Sequence, residues 1–295
     1  MTPSRARATP FSTRDRLTAY LLAAPAGALL VGVALFPILF AAWLSLHRLI
    51  LILRERRFIG LDNYAYLLHD QRFWTALGNT AYFAVFSVTA ELGLGLAIAS
   101  LLASAAPGQR LLRAAILVPW AIPAAVSGKI WAWLFNPEYG LFTRVLPGSI
   151  NWLGTPGYAM PAAILVDVWK TVPFVALLIF AALRNIPEDL YRAASLDGAS
   201  SWRIFRSITL PLLKPTLAVV LVLRTLDAFR VFDAIYVLTA GGPANTTETL
   251  AIYTYKTLMD AGDFGYGSTL AIATFLCVLV ISIAYLRVLG SEGRA

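Results

Sequence analysis

Eight ionisable side chains sit inside stretches that are otherwise apolar: Glu91, Lys129, Asp167, Lys170, Arg224, Asp227, Arg230 and Asp233. A charge near the centre of a bilayer costs about 2.5–3.5 kcal/mol even on the milder insertion scale, so such groups must face one another or a wet cavity. Asp167 and Lys170, like Arg224 and Asp227, are opposite charges three residues apart, and so neighbours on a helix surface. On one helix Asp167, Lys170, Thr171 and Phe174 share an arc of about 100°. On another, Arg224, Asp227, Ala228 and Val231 repeat the same offsets. Carboxylates and guanidinium groups can bracket hydroxyls while Phe174 or a Trp stacks on an apolar face. The same charges could instead only pin helices together, and the residues alone leave both readings open. Glu91, alone at the centre of its apolar stretch, is a further candidate. Arg230 and Asp233 drift toward the outer end of their helix, and Lys129 is within snorkelling reach of an interface.

Other chemistry is absent from the pattern. His47 and His69 share one loop without metal-like spacing to acids or to Cys277, and no nucleophile–base set appears. Gly128-Lys129-Ile130, the nearest approach to a nucleotide loop, lacks the leading Gly and the terminal Ser/Thr that cradle phosphates and magnesium. The expectation is therefore no catalytic residue, no metal and no cofactor on this chain. Cys277, the single cysteine, reads as a small buried hydrophobe.

The elements that must position these charges are membrane helices. Of 295 residues 59% are hydrophobic and 14% charged, against about 25% charged in soluble domains. A span needs about 20 apolar residues, and six stretches qualify, near 18–46, 76–104, 111–135, 159–183, 212–239 and 266–289. The expected fold class is all-α integral membrane with six transmembrane helices. The first stretch follows a basic leader and holds Ala24-Pro25-Ala26, but it far exceeds the roughly 7–15 residues of a signal peptide's apolar region, so it is read as retained. Pro37, Pro119, Pro123, Pro161 and Pro173 interrupt spans, each freeing a carbonyl that neighbours must satisfy. Trp120, Trp131 and Trp133 read as interface anchors.

With both termini inside, the internal segments carry thirteen Lys/Arg and the external loops seven, the orientation that the positive-inside rule favours. The net charge of +8 then lies on the inner face, where it argues for the membrane and against nucleic acid. Arg48, Arg54, Arg56, Arg57 and Arg72, all in the first external loop, run against the rule. The chain divides into a cytoplasmic tail (1–17), a first helix with its external loop (18–75), a five-helix core (76–289) and a short internal tail (290–295).

Between the fourth and fifth spans, residues 184–211 form a charged island read as two short helices. Pro187, Glu188 and Asp189 suit a helix start, Asp197-Gly198 a stop, Ser200 or Ser201 a second start, and Pro211 closes the unit. Ala193 and Ala194 leave a shallow surface for another protein. Ala193, Ala194, Gly198, Ile208, Leu210 and Pro211 fall at the spacing of the cytoplasmic coupling loop of ABC-importer permeases, which this island resembles; Arg192 stands where that family has Glu. Phe58 to Tyr64, Pro119-Trp120 through Phe135, and Phe232 to Thr239 with Gly241-Gly242-Pro243 are similar to the sugar-importing branch, the maltose, trehalose and glycerol-phosphate systems. Arg224 to Asp233 most resembles the trehalose-importing members of actinobacteria.

This resemblance implies a type I importer in the bacterial cytoplasmic membrane. A second homologous permease subunit, two ATP-binding subunits carrying ATP and Mg, and an extracytoplasmic sugar-binding protein would complete it. It also implies that Glu188, Arg192, Ala193, Ala194, Asp197 and Gly198 contact the ATPase; Arg192 reverses the family's Glu contact, so that salt bridge does not carry over, and Glu188, one turn earlier on the same face, is the candidate to replace it. Asp167, Lys170, Thr171, Phe174, Arg224, Asp227 and Glu91 would lie beside a disaccharide such as trehalose or maltose. The alternative is an ion-coupled secondary sugar carrier using the buried carboxylates.

Overall fold

The computed structural model describes residues 13–103, 109–145 and 150–292. The outer parts of both expected tails, with Arg5, Arg7 and Arg294, lie outside the described residues. Helix α1 (Thr13–Leu30) passes through a π-helical stretch, Val31–Leu35, into α2 (Phe36–Ser45). A hairpin follows, β1 (His47–Ile50) antiparallel to β2 (Glu55–Phe58), and then the short α3 (Asp62–His69). Next come α4 (Gln71–Ala103), α5 (Gln109–Ala121), α6 (Ala124–Leu134), α7 (Leu141–Val145) and α8 (Pro156–Arg184). The charged island expected to be a coupling segment is α9 (Glu188–Leu196) and α10 (Ser201–Ile204), joined through π-helical Phe205–Thr209 to α11 (Leu210–Ala228). The chain ends with α12 (Asp233–Thr239), α13 (Leu250–Tyr255), π-helical Lys256–Asp260 and α14 (Phe264–Glu292).

Among the described residues five helical stretches are long and apolar enough to cross a bilayer, with a sixth if the bent pair α5–α6 is one span. Two expected spans differ from the sequence reading. The stretch 111–135 is not one rod: α5 and α6 meet at 94°. Pro119 and Pro123 account for it, since neither donates a backbone hydrogen bond and Pro123 sits in extended backbone ahead of α6. The stretch 212–239 also breaks. The α11 helix ends at Ala228, and α12 restarts at Asp233, an acid suited to a helix start. One carbonyl left free at this second break, that of Val231, accepts from Thr249 Oγ1 at 3.2 Å.

The core forms where α4 lies along α8, with α11 against both. Gly95 makes the α4–α8 approach possible, because a Cβ there would collide with the Val175 side chain. Trp131 is not an interface anchor as expected; it is buried and packs against Phe135, Phe142 and Trp169. The first span stands apart, with nothing in its apolar window buried inside the chain, although α2 touches α14. In a bilayer that surface faces lipid or another subunit.

Candidate functional site

Arg224 organises the middle of the molecule. Its guanidinium makes a bidentate pair with Glu91, Nε to Oε2 at 2.6 Å and Nη2 to Oε1 at 3.0 Å. It also reaches Asp167 Oδ2 at 3.3 Å and Asp227 Oδ2 at 3.4 Å. One arginine thus ties α4, α8 and α11 together through a planar fork matched to carboxylates. Glu91 is fully buried and the Arg224 side chain is 8% exposed, so the pairing offsets a desolvation cost that neither group could bear alone. The Thr171 hydroxyl lies 2.6 Å from both Glu91 Oε1 and the Asp167 carbonyl, and donates to one at a time.

Beside this hub opens a cavity of about 250 Å³. Asp167, Lys170 and Thr171 come from α8, Arg224 and Asp227 from α11, Ala124 from α6, and the Arg230–Ala234 turn closes the remaining side. Of the seven residues that the sequence placed on a substrate path, five (Glu91, Asp167, Thr171, Arg224 and Asp227) form one bonded cluster. The expected Asp167–Lys170 pair does not form, because Asp167 turns to Arg224. Lys170 Nζ instead donates to the carbonyls of Ile122 at 2.8 Å and Trp120 at 3.4 Å. Phe174 is not among the cavity's lining residues; it stacks on Trp120 with centroids 5.7 Å apart. Arg230 and Asp233 do line the cavity, since the break after α11 folds them back toward it. Glu91 is not alone, a contact hidden from sequence by the 133 residues separating it from Arg224.

The coupling segment lies away from this cavity, and no residue of α9 is buried. Ser200 caps α10, its side chain accepting from the Arg203 N–H at 3.4 Å, and Gly198 takes the left-handed backbone (φ 73°) that stops α9. Arg192 folds onto its own helix, pairing with Glu188 at 3.0 Å and Asp189 at 3.7 Å. Tyr191 and Thr209 hydroxyls meet at 3.2 Å, and Ile186 packs with Val175, Ile179, Leu213 and Val220. The segment is therefore firmly joined to α8 and α11. Ala194, Asp197 and Ile208 line a shallow groove on it, and Leu196 is 89% exposed.

Sequence reasoning missed a second polar cluster, at the end of the bundle where the hairpin lies. Buried Asp70 accepts from the Tyr253 hydroxyl at 2.6 Å and from the Tyr266 hydroxyl. Arg72 grips buried Glu248 through two hydrogen bonds of 2.7 and 2.9 Å, lies over the Tyr253 ring, and shares Glu248 with Lys256. Burial opposes ionisation of Asp70, but the phenols and backbone N–H groups prevail and hold its carboxyl below the usual range. Glu248 is likewise held low: burial resists, and Arg72 and Lys256 outweigh it. Partners 176 residues apart leave no local trace. The loop arginines that contravene the charge rule are partly consumed here and in the Arg48–Glu55 pair of the hairpin. Among the described residues no cluster of His, Cys, Asp and Glu fits a metal ion.

Apolar helices long enough to cross a bilayer surround a buried polar cavity, and an exposed segment joins two of them, the layout of a membrane protein with an internal polar site. Residues 91–289 match the family described as binding-protein-dependent transport system inner membrane component, and the chain belongs to that family. It is 43% identical over 279 residues to the trehalose/maltose transport system permease protein MalF of Thermococcus litoralis, covering 93% of this chain and 94% of that one. It is 40% identical over 278 residues to the trehalose transport system permease protein SugA of Mycobacterium tuberculosis, covering 94% and 90%. Its fold is that of an ABC-importer permease. A crystal structure of a bacterial ABC transporter that imports the acidic polysaccharide alginate superposes with a TM-score of 0.79, at 21% identity, over 93% of this chain and 95% of that one.

Proposed function

We propose that this chain is the permease subunit of an ABC importer that carries a disaccharide of the trehalose or maltose type through the Arg224-centred cavity. The carrying observation is geometric: the charged cavity is walled by α8 and α11, the two helices whose ends hold the exposed coupling segment. Displacement of α9 by a partner would shift both walls at once, exchanging states that open to one side or the other. The trehalose and maltose named for the relatives support the choice of sugar. Asp227 and Arg230 expose more than half of their side chains and offer the groups that hydroxyls would meet first. Arg224 would hold the helices together beneath them.

ATP and Mg would act on two separate subunits docked at α9, with Ala193, Ala194, Asp197 and Gly198 at the contact. The internal Arg192–Glu188 pair means that Glu188 must leave Arg192 to meet a basic partner residue. A second permease subunit would cover the apolar face of α1 and α2. An extracytoplasmic sugar-binding protein would deliver solute at the hairpin end; an alginate importer has been crystallised with its oligosaccharide-bound periplasmic protein. Family membership leaves the ion-coupled carrier with no observation in its favour.

Uptake of radiolabelled trehalose and maltose into a deletion strain tests the reading. Asp227→Asn should change the apparent KM about ten-fold or more, roughly the 1.4 kcal/mol of one charge-assisted hydrogen bond, with normal membrane accumulation. A variant that transports both sugars with unchanged KM would remove Asp227 from the path.

A further inference from the structure

The cavity is smaller than the roughly 300–1,000 Å³ of sites that enclose small organic ligands, at about 250 Å³. To hold a disaccharide, one wall has to move. The α8 and α11 walls are cross-linked by Arg224, which also ties them to α4 behind the cavity. The remaining walls both begin at chain breaks: Ala124 opens α6, and residues 229–232 precede α12. These two helices are packed into one piece, since Gly128 of α6 sits against Val237 and the Ala234 carbonyl of α12, close enough to crowd an added Cβ. The breaks at residues 122–123 and 229–232 are where the α6–α12 pair joins its neighbours in the chain, and Trp131 packs the pair on Trp169 of α8.

Lys170 binds the first of these breaks. In an unbroken helix the carbonyls of Trp120 and Ile122 would accept from N–H groups four residues on. The bend removes those partners, and the Lys170 ammonium takes their place. Phe174, one turn along α8, stacks on Trp120 at an interplanar angle of 12° and holds the same point. An ammonium has three donors, and Lys170 also lines the cavity. Among the described residues no carboxylate forms an ion pair with it.

We propose that Lys170 is a positioning residue for transport: its ammonium latches the bend between α5 and α6, and release of that latch lets α6 and α12 swing off the cavity together. The role deepens the sugar-path reading and rests on it for its purpose. A solute hydroxyl that accepts from the third donor draws the ammonium into the cavity and away from the carbonyls, the 3.4 Å bond to Trp120 first, so filling the cavity loosens its own lid.

The test uses the full chain with its partner subunits in native membranes, in a Cys277→Ser background carrying Ala124→Cys, labelled by a maleimide with no saccharide present. Lys170→Met should raise the labelling rate about five-fold, while Lys170→Arg, which keeps charge and donors, should stay within about two-fold of the parent, as expected when a minor open state is enriched. Equal labelling of the parent and the Met variant overturns the latch. Should the Met variant fail to accumulate, Phe174→Leu, which removes the ring from Trp120, decides on the same comparison. Failure of the parent to take up any saccharide would overturn the sugar path and leave this comparison standing.

Discussion

At the scale of single residues, the molecule solves one problem twice: how to seat a pair of carboxyl groups where water is scarce. Glu91 and Asp167 share Arg224 inside the bundle, while Asp70 and Glu248 rely on two phenols, Arg72 and Lys256 near its end. The second pair carries a pH signature. Both folded-state pKa values are depressed, so their stabilisation is fully present above the unfolded-state pKa and is lost as pH falls through the folded one. In Asp70→Asn protein the thermal midpoint should therefore fall less steeply than in the parent as pH drops below about 5. Scanning calorimetry in detergent across that range checks it, and parallel pH profiles would remove Asp70 from the account.

Elements carry the next level of constraint. The α4–α8 seam depends on Gly95 having no side chain, because Val175 occupies that space. Gly95→Val should cost about 1–3 kcal/mol through overpacking, and Val175→Ala in the same chain should recover much of it. Unfolding midpoints of the two single variants and the double decide; a Gly95→Val protein that melts with the parent would show that the seam is slack. The charged arcs on α8 and α11 were legible in the sequence because a 3.6-residue period puts offsets of three and four on one face. The end of α11 was not, since residues 226–233 contain neither Pro nor Gly and the break is sealed by distant Thr249. The prolines near 119–123 were visible as interruptions, but not the 94° turn that diverts Lys170 and Phe174 from the expected path.

For the whole molecule, the apolar stretches and the two short helices between the fourth and fifth of them were readable from composition and spacing, whereas pairings such as Arg72–Glu248 arise only after folding. We propose, from the distribution of Lys and Arg, that the hairpin tip lies outside and the tails in the cytoplasm. In a Cys277→Ser background, an impermeant thiol reagent should label Leu53→Cys in intact cells and should label Ser4→Cys only after permeabilisation. Labelling of Ser4→Cys in intact cells would invert the orientation.

Arg224 has one more consequence, which concerns time rather than space. A ribosome delivers residue 91 and residue 167 well before residue 224. During that interval two acidic helices enter the insertion machinery without the cation that later neutralises them, at the unfavourable cost set for an unpaired charge in hydrocarbon. The nascent chain must shelter them in the protein channel, or protonate them, until α11 emerges. The three-helix junction is therefore complete only once α11 has been delivered.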